Sequence, residues 1–234
     1  EIMPSLVGSE MCIRDRDVAQ ISCFFSSKAE VTEDTIQSFE YSLKNVLQEA
    51  SITETSENPS ARLWVDAYSA DGKITLVNGK NTLDANAIGI GGDFFMFHPL
   101  KLITGAYFSG NDLMQDYCII DQDAAWQLFG SNDVVGMTVY IGNVPHIVTG
   151  VVQRPDSRMD KAAGLNSTVV YVSYETLSAY GTNNGINHYE IVMPNPVDEF
   201  AYGKVKEGIG IDEKNVEIAV SYTHLRAHET RHDL

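Results

Sequence analysis

The sequence predicts an α+β fold, with a discontinuous ferredoxin-like β-α-β outer subdomain and an inserted mixed α/β subdomain. Three observations predict it. A strand-helix-strand pattern opens the chain at Val18–Phe25, Thr32–Ala50 and Leu63–Tyr68. A second one closes it at His188–Met193, Val197–Glu207 and Asn215–Ala219. Between them lies a separate block of short strands and short helices. The outer subdomain then takes residues 17–89 plus 185–219, and the insert takes residues 90–184.

In order, VAQISCFF (Val18–Phe25) is a β-type run. Thr32 is placed to cap a helix to about Ala50, because Ile36, Phe39, Leu43, Val46 and Leu47 keep one face. Glu33 and Asp34 favour its positive N-terminal end. The polar stretch Ser51–Ser60 reads as a linker. Leu63–Tyr68 and Lys73–Val77 read as a hairpin about Asp71-Gly72, with a further strand at Thr82–Ile88.

The block from Tyr117 to Val152 is the most informative. Tyr117–Ile120 is a short apolar strand, Asp121 a helix N-cap, and Gly130 a natural stop. Between them Ala124, Ala125, Leu128 and Phe129 form one stripe, with Trp126 at its edge. Leu128 and Phe129 are therefore expected deep against the next two strands, Gly136–Ile141 and His146–Val152, which turn at Gly142-Asn143. A polar loop, Gln153–Ser167, precedes a strand at Thr168–Ser173 and a short helix at Tyr174–Tyr180.

This order of strand, helix ending Leu-Phe-Gly, Val-Val-Gly-Met, strand, turn and strand ending Val-Thr-Gly-Val-Val resembles the MacB-like periplasmic core domain. That domain belongs to ABC-transporter permeases of the FtsX-like family. Supporting residues are the Asp-Phe-Phe segment at Asp93–Phe95 and the run containing Leu102, Gly105, Phe108, Ser109 and Asp112. The resemblance implies a non-catalytic extracytoplasmic segment of a cell-membrane protein. It implies an ABC ATP-binding subunit as partner through membrane and cytoplasmic regions, and a permease dimer. The substrate would be a peptide, lipoprotein or lipid-like molecule. No apolar run here reaches membrane-spanning length, so the resemblance implies membrane helices outside the insert; one before Asp17 and three after about Ala219 would settle the class. Two other readings stay open: a stand-alone extracellular binding or adhesion module, and a secreted hydrolase with an unrecognised site.

Neither catalytic, cofactor-binding nor metal-ligating residues are assigned from the sequence. Ala67–Asn78 partly imitates a calcium loop but lacks acids at its first and last ligand positions, so Asp71-Gly72 reads as a turn. Gly89, Gly91 and Gly92 lack the third glycine and the βαβ setting of a dinucleotide fingerprint. There is no P-loop, GxSxG or HExxH motif. His98, His146 and His188 stand at wide intervals and read as structural, and Phe94, Phe95 and Phe97 as packing between subdomains. Cys23 and Cys118 have no metal-ligand or CxxC spacing and read as buried strand residues.

The two ends differ from the rest. One codon choice for Leu6–Asp15, LVGSEMCIRD, has a reverse complement that translates codon for codon as Val220–Glu229, VSYTHLRAHE. Residues 1–16 and 220–234 therefore resemble a translated sequencing adapter flanking a truncated insert, and they are expected to contribute nothing to the fold. His224, His228 and His232 then carry no meaning. The whole chain has 16 basic and 32 acidic residues, net −16; without the flanks 12 and 27 remain. That acidity excludes a phosphate-neutralising surface, hence nucleic-acid binding.

Overall fold

A computed structural model describes residues 18–52, 62–153 and 167–223. Most of the linker Ser51–Ser60, most of the loop Gln153–Ser167, the first flank and His224, His228 and His232 lie outside them.

Strand β1 (Val18–Phe25) alternates cleanly: Ala19, Ile21, Cys23 and Phe25 point into one core. Helix α1 (Glu33–Glu49) covers that side, burying Ile36, Phe39, Leu43 and Leu47 at helical spacing. Thr32 is its N-cap, and its N–H donates to Thr35 Oγ1 at 3.4 Å. Each buried aliphatic or aromatic side chain contributes roughly 1.5–3 kcal/mol. Strand β2 (Val65–Asn78) follows and pairs from Ala67 to Asn78 with β3 (Asn81–Gly92).

The expected hairpin at Asp71-Gly72 is therefore corrected. Both residues lie within β2, opposite Ile88 and Ala87, and the turn is at Gly79-Lys80. Gly79 has φ +61°, the left-handed geometry a two-residue turn needs from glycine at its first position. Gly72 serves a close approach instead: a Cβ there would stand 2.3 Å from the Thr182 carbonyl oxygen.

The middle of the chain comprises α2 (Phe94–Phe97), β4 (Leu102–Gly105), β5 (Tyr117–Asp121), α3 (Gln122–Phe129), β6 (Thr138–Ile141) and β7 (Val144–Val152). After these come β8 (Val169–Ser173), α4 (Tyr174–Tyr180) and β9 (Thr182–Asn183). As expected, Asp121 caps α3, accepting from the Ala124 N–H at 2.8 Å, and Gly130 ends it at φ +71°. Asp121 also accepts from the Val169 N–H at 3.2 Å, tying the cap to β8. Gly142 and Asn143, at φ +57° and +67°, make the expected turn between β6 and β7. Gly136, at φ +81°, precedes the strand rather than starting it.

Helix α3 corrects the burial expectation in part. Leu128 is buried, and its carbonyl accepts from the side-chain amides of Asn78 (3.1 Å) and Asn81 (2.9 Å) at the end of the β2–β3 hairpin. Phe129 is only half-buried, and Trp126 is 59 % exposed. The reason is the direction α3 faces. It packs on β2, β3, β5 and β7, so Ala124, Ala125 and Leu128 form the inner line and Phe129 falls to its flank.

The chain closes with β10 (His188–Pro194), α5 (Phe200–Gly208) and β11 (Val216–Thr223). Helix α5 starts later than expected because Glu199 sits at φ +62°. Among the described residues the strands form one sheet, ordered β11-β1-β10-β2-β3-β8-β5-β7-β4. Its first four strands are mutually antiparallel, with α1 and α5 both packed on one side. This is the ferredoxin-like arrangement, and everything from β3 to β9 interrupts its central hairpin between β2 and β10. Residue 90 lies within β3, which pairs with β2 on one side and, over Asn86–Ile90, with β8 on the other. Of the second flank, Val220 to Thr223 extend β11 at the sheet edge, opposite Val18 to Ile21.

Candidate functional site

The side of the sheet opposite α1 and α5 is divided between an aromatic cluster and a polar group. Alternation along β10 sends Tyr189, Ile191 and Met193 toward the helices. His188, Glu190 and Val192 point the other way. On neighbouring β1, Ser22 is in register with Glu190. His98 arrives from the residue that ends α2, its backbone N–H donating to the Phe94 carbonyl.

These residues converge. His98 Nε2 meets Glu190 Oε2 in a short contact, and His188 Nε2 lies 3.8 Å from Glu190 Oε1. Ser22 donates to Glu190 Oε1 at 3.1 Å, and Gln20 at 3.4 Å. Phe24 stacks on His188, with 4.5 Å between centroids, and Phe94 lies 4.7 Å from the His98 ring. Burial opposes ionisation of Glu190, but the hydrogen bond and charge of His98, the charge of His188 and the Ser22 hydroxyl outweigh it. The carboxyl is held below its usual range. Burial lowers the His188 imidazole, while the Glu190 charge pulls the other way.

Two of the three histidines among the described residues therefore meet at one carboxylate, a convergence that their wide spacing in sequence did not suggest. A signal existed for half of this. His188 and Glu190 are two apart in a strand and must share a face. Nothing local indicated that His98, about ninety positions earlier, would fold over them. His146 does behave structurally: it is buried, with Nδ1 3.0 Å from the Val144 carbonyl and Nε2 3.2 Å from Thr176 Oγ1. Phe94, Phe95 and Phe97 are buried with Val18, Val65 and Val192 on one side and Ile119 and Val152 on the other. They bridge the outer strands and the insert, as expected of packing residues.

On the helix side, a second ionisable group joins α1 to the sheet. Glu40 hydrogen-bonds Asp66, which also accepts from the Tyr189 hydroxyl at 3.1 Å. Burial, then the nearby Asp66 charge, pushes the Glu40 carboxyl up to about 8. Cys23 and Cys118 are buried free thiols whose pKa burial pushes up to about 12. Neither is poised as a nucleophile.

Solved structures share this architecture. The extracellular domain of the noncanonic ABC-type transporter YknZ from Gram-positive bacteria aligns with a TM-score of 0.53 at 18% identity, covering 86% of this chain and 99% of that one. The periplasmic region of MacB from Actinobacillus actinomycetemcomitans gives 0.54 at 18% identity, covering 86% and 87%. Among curated proteins, the macrolide export ATP-binding/permease protein MacB of Chromobacterium violaceum is 32% identical over 99 residues, 42% of this chain and 15% of that protein. Its counterpart in Pasteurella multocida is 30% identical over 98 residues, 41% and 14% respectively. The aligned region thus spans about a seventh of those relatives' length. Residues 23–218 match the MacB-like periplasmic core domain, and the chain belongs to that family.

Proposed function

We propose that this chain is the extracytoplasmic domain of an ABC-transporter permease subunit. It performs no chemistry itself and transmits ATP-driven motion to the export or extraction of a peptide, lipoprotein or lipid-like substrate. The family match over residues 23–218 carries the reading. The fold supports it mechanically. Strands β1 and β11 are antiparallel neighbours with Ser22 opposite Ala219, so β11 runs back toward the end at which β1 begins. Membrane helices attached there would move the ferredoxin-like sheet, and with it the insert. No helix among the described residues is long and apolar enough to cross a membrane. The spanning segments and the ATP-binding unit are assigned to other parts of the transporter, with the outer domains of a permease dimer moving together.

Leu113 provides the test. Its side chain is fully exposed at 101%, whereas Cys23 and Cys118 are buried. In the full-length protein, Leu113→Cys should react with a membrane-impermeant maleimide in intact cells, well above the unsubstituted parent. Reaction only after lysis would put the domain on the cytoplasmic side and end this reading.

A further inference from the structure

The group formed by His98, His188 and Glu190 has the composition and spacing of a metal site. We propose that these three side chains bind one divalent first-row transition ion of the zinc type, clamping the segment after α2 to strand β10.

The donor set is two imidazoles and one carboxylate, borderline ligands that suit zinc and its neighbours better than calcium or magnesium. One ligand atom from each residue lies within 4.8 Å of the others. Tetrahedral zinc with bonds of about 2.0–2.2 Å needs ligand atoms roughly 3.3 Å apart. The adjustment is therefore small, and it can come from His98, which lies outside the sheet and is more than a third exposed. The same exposure leaves the remaining coordination position open to water.

The surroundings are those of a built site. His188 Nε2 is buried without a hydrogen-bond partner and faces Glu190, so one potential ligand atom is left unsatisfied. Ser22 and Gln20 hold the carboxylate from a rigid neighbouring strand, as outer-shell groups orient metal ligands. Phe24 fixes the plane of His188 by stacking. A chain of net charge −16 adds a general attraction for cations. The consequence for the fold is specific. His98 lies in the part of the chain inserted between β2 and β10, while His188 and Glu190 belong to the outer sheet, so the ion would join the two with coordinate bonds.

The test is zinc titration of the chelator-treated full chain by calorimetry, with cobalt absorption as a spectroscopic reporter. One equivalent should bind, give visible cobalt bands of a four- or five-coordinate site, and raise the melting temperature. His98→Ala and Glu190→Gln should each weaken binding at least ~10-fold, and Ser22→Ala should weaken it less. His98 is partly exposed, so that variant should keep the wild-type circular dichroism and remains informative if Glu190→Gln does not fold. The flanking His224, His228 and His232 supply the competing explanation. Replacing all three by Ala should leave the titration unchanged. No binding by the full chain would overturn the proposal. So would binding that disappears in the triple variant and survives His98→Ala.

Discussion

Leu128 and Phe129 are adjacent in α3, yet only Leu128 reaches the inner line of the helix. Leu128→Ala should cost about 2–5 kcal/mol, the usual range for emptying a packed aliphatic site. Phe129→Ala should cost less than that, and Trp126→Ala should stay within about 0.5 kcal/mol. Urea denaturation of the three variants checks the order, and a Phe129 variant weaker than the Leu128 one would contradict it. Glu40 makes a prediction about pH. Its folded-state carboxyl keeps its proton to about pH 8, whereas an unfolded glutamate releases it near its ordinary 4.5. Over that window the folded state binds more protons, so stability is highest on the acid side and falls as pH rises. Glu40→Gln should flatten this fall in a melting-temperature series from pH 5 to 8. An unchanged slope in the variant would remove Glu40 as its source.

At the scale of elements, local chemistry was readable where the determinants were local. The cap, stripe and stop of α3 lie within ten residues: the Asp121 carboxylate caps the helix, and Gly130, having no Cβ, ends it at positive φ. The β6–β7 turn was equally plain, since Gly142 and Asn143 are residues that accept positive φ. The β2–β3 hairpin was misplaced because two turn signals compete there. Asp71-Gly72 and Asn78-Gly79 both favour a turn, and only the second lies where twelve residue pairs can form on either side. The first glycine is needed because β9 crosses beside it, a contact between distant segments that no local pattern encodes. Gly72→Ala should therefore destabilise by about 1–3 kcal/mol through overpacking against the Thr182 carbonyl. Gly79→Ala meets open space and should cost only about 1–2 kcal/mol of backbone strain. A neutral Gly72→Ala in chemical denaturation would mean that β2 and β9 do not approach this closely. The His98–Glu190 contact was hidden for the same reason as the β9 crossing, being set by how the insert folds back over β10.

For the whole molecule, the α+β division into an outer β-α-β pair and an insert was legible because the period of the hydrophobic pattern changes along the chain. Sharing of one sheet was not legible, since it depends on the length of β2 and β3 and on β8 lying parallel beside β3. Nor was the ordering of Val220 to Thr223, whose backbone pairs with β1 through hydrogen bonds that any non-proline sequence can supply. That edge has a mechanical consequence. Ladder bonds between antiparallel strands run across the strands, so tension applied where β1 begins and β11 ends opens them one after another, like a zip. A handle moved from the end of β11 to the Gly79-Lys80 turn would instead load the sheet along β2 and strain many bonds together. In optical tweezers the first geometry should yield at clearly lower force than the second; equal forces would contradict this. A transporter that pulled on only one of the two attachment points would tear its own outer domain at the seam. On the proposed reading, membrane helices attached at β1 and β11 would have to travel together to keep that seam closed.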